Sequence, residues 1–113
     1  MHPELSSFLD LCSEVTIRSK TIITERECEP HFQRVLDRVL AHPEHRACYV
    51  EAFRMIILER HRSITDELVR FCMRSLRWSE VAGFVRERMS QDIHNSEYAS
   101  LQELQRVYET NAA

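Results

Sequence analysis

A single glycine, Gly83, and three prolines occur among the 113 residues of this chain. All-β sandwiches and barrels need many turn residues, and phosphate-cradling loops need glycines, so both are close to excluded. No run of about 18 apolar residues exists, which excludes a transmembrane helix. No charged-then-apolar leader opens the sequence, so a cytoplasmic protein is expected. The four cysteines, at 12, 28, 48 and 72, contain no Cys-x-x-Cys pair. Without a secretion signal, reduced thiols are expected. Cys12, Cys48 and Cys72 fall in apolar helical stretches, where Cys acts as a small hydrophobe. Lysine is nearly missing as well, the basic residues being 14 Arg and Lys20.

What is present has the composition of one soluble domain over residues 1–113, with 43% hydrophobic and 29% charged residues. The charge is unevenly placed. Residues 1–53 carry six basic and nine acidic side chains, residues 54–90 eight Arg against five acids, and residues 91–113 one Arg against four acids. The total of −3 argues against non-specific nucleic-acid binding, which needs a net basic footprint. The positive middle leaves room for a local anionic partner.

The apolar residues recur with helical period. Each proline (Pro3, Pro30, Pro43) precedes such a pattern, as a first-turn residue whose missing N–H costs nothing. From Pro3, Leu5, Phe8, Leu9, Cys12 and Val15 make one stripe. Ser19, Ile22, Ile23 and Arg26 continue its phase, with a bend or restart expected near 15–20, where β-branched residues gather. From Pro30, Phe32, Val35, Leu36, Val39 and Leu40 share a face, and the helix ends at Ala41-His42 ahead of Pro43. Residues 43–62 are apolar nearly all round, which predicts a buried central helix closing on Arg60-His61-Arg62.

Ser63 or Thr65 is expected to cap a fourth helix striped by Leu68, Val69, Cys72, Met73 and Leu76. After a short break at Arg77-Trp78-Ser79, with Ser79 as cap, Val81, Phe84, Val85, Arg88 and Met89 mark a fifth. So short a break predicts an antiparallel hairpin. Asn95 or Ser96 would cap a last helix bearing Tyr98, Leu101, Leu104 and Tyr108. The fold expected is all-α: five to six helices in antiparallel hairpins, HEAT-like or an orthogonal bundle. His2-Pro3-Glu4 recurs as His42-Pro43-Glu44, a period of forty residues that suits stacked helical hairpins.

Few residues are arranged for chemistry. His42, His45 and Cys48 stand at i, i+3 and i+6, but i+6 departs from the face set by position i. A fourth ligand would have to come from elsewhere and His-Glu-x-x-His is absent, so no metal or other cofactor is assigned. No nucleophile motif surrounds Cys48 or Cys72. Glu25, Glu27 and Glu29, just before Pro30, read as a solvated turn. Arg70, Arg74 and Arg77 at i, i+4 and i+7 share one face of the fourth helix, with Arg86 and Arg88 following on the fifth. Arginine forks recognise carboxylates and phosphates. The plainer reading pairs Arg70 with Asp66 or Glu67 on a solvated face. Trp78 either packs inward to lock the joint, the reading we favour, or stands out as a binding anchor.

The stretch Leu68-Val69-Arg70-Phe71-Cys72-Met73-Arg74-Ser75-Leu76-Arg77-Trp78-Ser79-Glu80-Val81 resembles the final helical hairpin of small bacterial HEAT-like proteins. Some proteins of that kind are similar to immunity proteins of contact-dependent toxin systems. The resemblance implies a protein-binding role without catalysis. The death-domain type of six-helix bundle matches the helix count too. Three functional readings stand. The first is a non-catalytic interaction module, of the immunity-inhibitor type, presenting Arg70, Arg74, Arg77 and Trp78 to an acidic protein. The second is a small nucleic-acid-binding or regulatory domain using the same arginines. The third is an enzyme, for which the sequence offers no paired groups.

Overall fold

Six α-helices make up the fold in the computed structural model, which describes residues 2–21, 25–91 and 98–109. They are α1 (Pro3–Ser19), α2 (Glu25–Ala41), α3 (Arg46–Leu58), α4 (Asp66–Leu76), α5 (Ser79–Gln91) and α6 (Tyr98–Glu109). Short 3₁₀ turns at Pro43–His45 and His61–Ser63 flank α3. No helix among the described residues is long and apolar enough to cross a membrane.

Alternate helices are neighbours. α1 packs on α3 and α3 on α5, while α2 packs on α4 and α4 on α6; α1–α2 and α5–α6 contacts join the two series. The pairs His2–His45, Glu4–Tyr49 and Phe8–Phe53 advance together along both chains, so α1 and α3 run parallel. Arg46–Glu80 and Ile57–Arg88 make α3 and α5 parallel in the same way. α2 runs antiparallel to α1, with Arg38 on Glu4 and Arg34 on Glu14. The N-termini of α1, α3 and α5 therefore share one end of the molecule. Each brings a carboxylate to its first turn or to the turn leading into it, namely Glu4, Glu44 and Glu80, where the helix dipole favours negative charge.

The stripes read from the sequence are the core. Leu5, Phe8, Leu9, Cys12 and Val15 of α1 are buried, as are Phe32, Val35, Leu36 and Val39 of α2. Phe53 and Ile57 have no exposed surface, which puts α3 at the centre as expected. Leu40 departs from its stripe and is 58% exposed. It sits one residue before the end of α2.

Several boundaries differ from expectation. α1 runs unbroken to Ser19: Thr16 is buried and its Oγ1 accepts the Thr65 N–H at 3.3 Å, although Ile17 beside it is exposed. α2 begins at Glu25, not Pro30, so Pro30 lies inside a helix and residues 25, 27 and 29 occupy its first turns rather than a loop. Acidic residues at a helix N-terminus are favoured by its dipole, which offsets the hydrogen bond that Pro30 cannot make. α3 stops at Leu58, short of Arg62. Arg60, Arg62 and Ser63 then take left-handed backbone angles (φ 51°, 54° and 52°) with no glycine to relieve them. An ion pair from Arg62 to Asp10 and the Thr65–Thr16 bond tie this turn to α1.

Thr65 caps α4 by accepting the Glu67 N–H. α4 and α5 do not pair as a hairpin; α4 lies on α2 and α6, and α5 on α3 and α6. Left-handed Arg77 turns the chain sharply. The Trp78 carbonyl, one residue ahead of the expected cap, accepts the N–H groups of Val81 and Ala82. Asn95 and Ser96 lie outside the described residues, as do Ile22 and Ile23.

Candidate functional site

Two places gather polar side chains: the α4 surface with the joint behind it, and the end where the parallel helices begin. On α4, Arg70 is half-buried and Arg74 exposed, and Arg77 is exposed at the C-cap. A narrow crevice between α2 and α4 is lined by Glu29, Phe32, Glu67, Arg70, Phe71 and Arg74. The arginine face is therefore of mixed charge near α2 and becomes basic only toward Arg77. Arg88, grouped with Arg86 by sequence, is not on any surface. It is 4% exposed and donates to the Ile57 carbonyl at 2.9 Å, satisfying an acceptor that the end of α3 leaves open.

The joint is closed from both sides. The Trp78 ring meets the Phe53 ring edge-on at 6.0 Å between centroids. The Arg46 guanidinium covers the indole, 4.7 Å from its centroid, while gripping Glu80 through bonds of 2.6 and 3.1 Å. Arg46 and then the backbone N–H of Glu80 itself hold the Glu80 carboxyl down at about 2. Tyr108 of α6 donates to the Trp78 carbonyl at 3.3 Å, and its own carbonyl lies 3.5 Å from Arg77 Nη2. Trp78 is thus packed inward, and Arg77 touches α6 as well as solvent.

At the other place, Glu4 ties three helices together. Arg38 of α2 grips its carboxylate through both Nε and Nη2, and Tyr49 of α3 donates to it at 2.6 Å. The Arg38 bonds lead in drawing the Glu4 carboxyl down to about 2. Burial, then the neighbouring carboxylate, pushes the Tyr49 hydroxyl up. None of this network was legible beforehand, because its members lie 34 and 45 residues apart.

Beside it stand the histidines. His2 caps α1, its Nδ1 accepting the Glu4 N–H at 3.1 Å. The ligand atoms of His2, His45 and Cys48 all lie within 4.8 Å of one another. His42, grouped with His45 and Cys48 by spacing, instead faces Glu44, its Nδ1 3.3 Å from Oε1. The residue that sequence reasoning missed is His2. Its signal was the repeated His-Pro-Glu, which parallel packing of α1 and α3 brings to one end.

The thiols divide sharply. Cys12, Cys28 and Cys72 are buried and Cys48 half-buried. Burial first, then the nearby Cys72, pushes the Cys12 thiol well up, and burial pushes Cys72 up to about 12, so both stay protonated at neutral pH. No family model, curated protein or solved structure matches this chain.

Proposed function

We propose that this protein is a non-catalytic, cytoplasmic interaction module that holds an acidic protein partner, in the manner of an immunity-type inhibitor. The binding surface runs from the outer face of α4 to the joint, with Arg74 and Arg77 making contact. Arg70 and Trp78 set the shape of that surface from behind. The observation that carries the reading is the exposure of Arg74 and Arg77 on a helix whose Leu68, Val69, Cys72 and Met73 are buried in the core. Arginine at such a rim steers a partner carboxylate into place and pairs with it bidentately. Trp78, inward against Phe53 and covered by Arg46, supplies rigidity rather than an anchor.

The test is affinity capture on the wild-type chain and on Arg74→Glu/Arg77→Glu, followed by binding kinetics with the captured protein once purified. The charge-reversed chain is expected to keep its helical circular dichroism and to bind with a much slower association rate, as rim charges act on encounter. Equal binding by both chains would move the interface elsewhere. Binding to generic duplex DNA that falls steeply with salt would replace the protein partner with a nucleic acid.

A further inference from the structure

We propose that His2, His45 and Cys48 form a site for one divalent cation of the borderline-soft, zinc class, with solvent completing its coordination. Two imidazoles and a thiolate suit such an ion; calcium and magnesium would call for oxygen ligands. The three residues come from two helix starts, 43 or more positions apart for His2, and meet only because α1 and α3 run parallel. Cys48 is the chain's one thiol that is not buried, and it lies at the third position of α3. A metal-bound thiolate there gains from the helix dipole.

The distances leave a small movement to make. Ligand atoms around tetrahedral zinc sit roughly 3.3–3.8 Å apart, given its bond lengths. Here they lie within 4.8 Å, which side-chain rotation alone can close. His2 is exposed and His45 half-buried, so an ion has a path in. The Glu4 carboxylate is committed to Arg38 and Tyr49 and is not a ligand. Glu44, whose Oε1 is 3.9 Å from His45 Nε2, sets a compensating negative charge beside the site.

One consequence follows from the nitrogen chemistry. A neutral imidazole has one lone pair, and that of His2 now accepts the Glu4 N–H. Whichever nitrogen takes the metal, this cap must be released. Metal occupancy therefore replaces the N-cap of α1 with a direct clip between α1 and α3.

The test uses the full chain without an affinity tag, titrated with Co²⁺ as the spectroscopic probe and then with Zn²⁺ to displace it. One equivalent of Co²⁺ is expected to give a thiolate-to-cobalt charge-transfer band, which Zn²⁺ abolishes. Cys48→Ser should lose that band. His2→Asn, which keeps a capping side chain, should bind at least about 10-fold more weakly with unchanged apo stability. Should Cys48→Ser fail to fold, as judged by circular dichroism, His2→Asn decides alone. Absence of a thiolate band, undiminished binding by His2→Asn, or one metal per two chains would each overturn the intramolecular site.

Discussion

Glu4 and Glu80 do the same job at two depths. Each stands in the first turn of a helix, each accepts two bonds from an arginine of a neighbouring helix, and each carboxyl is held at about 2. Yet the Glu4 side chain is 14% exposed and its Arg38 29%, whereas Glu80 and Arg46 are 38% and 47% exposed. Glu4 also accepts from Tyr49 and so joins three helices, while the Glu80 pair joins two. Equal proton affinities do not mean equal stabilisation. Water and salt screen the outer pair, and its loss strands nothing in the interior. Removing the inner carboxylate leaves a half-buried guanidinium that keeps its bond to Ser7 Oγ but loses its counter-charge, and a phenol hydroxyl without the acceptor it now has.

The largest effect should come from what both regions rest upon. Phe53 touches Phe8 on the Glu4 side at 5.8 Å and Trp78 on the Glu80 side at 6.0 Å. Phe53→Ala is expected to cost about 3–5 kcal/mol in a denaturant melt. A loss under about 1 kcal/mol would mean that the two regions have no common floor.

Next comes the inner cluster. Glu4→Gln keeps an acceptor for Tyr49 but removes the charge that Arg38 faces, and should cost about 2 kcal/mol at neutral pH. Its pH dependence sharpens the contrast. The folded-state value of Glu4 lies below the ordinary 4.5, at about 2. The wild-type contribution is therefore fully present above about pH 4.5 and is lost as pH falls toward about 2. Urea melts across that window should converge for wild type and Glu4→Gln. Parallel curves would remove the charge on Glu4 from the account.

How far these regions could be read from the sequence depends on range. The Leu5–Val15 stripe, the Thr65 cap and the central burial of Phe53 and Ile57 are local or periodic features, and the structure holds them as expected. Pro30 misled because an acidic run can start a helix ahead of a proline. The left-handed residues Arg60, Arg62, Ser63 and Arg77 carried no glycine to announce them. The expected hairpin of α4 and α5 failed at Arg77, whose backbone sends α5 onto α3. Glu4 with Arg38 and Tyr49, and Arg46 with Trp78 and Glu80, are pairings across more than thirty residues, which only the packing of helices decides. The arginine face was half legible: the i, i+4, i+7 spacing placed Arg74 and Arg77 outward, but Glu29 of α2 beside Arg70 lay beyond reach of any helical period.

The smallest effect belongs to the outer pair. Glu80→Gln removes the charge opposite Arg46 but leaves the α5 N-terminus and the Trp78 ring in place. Arg46 can still lie over the indole, an attraction that needs no carboxylate. Melting should therefore shift by no more than about 3 °C for a domain of this size. Added salt should shrink even that difference, because both partners are largely in water. The same salt series on Glu4→Gln should leave its deficit nearly intact, since a partly buried pair is screened much less. If instead the Glu80→Gln deficit matched that of Glu4→Gln and resisted salt, the lid formed by Arg46 over Trp78 would depend on its carboxylate, and the joint would be a sealed part of the core.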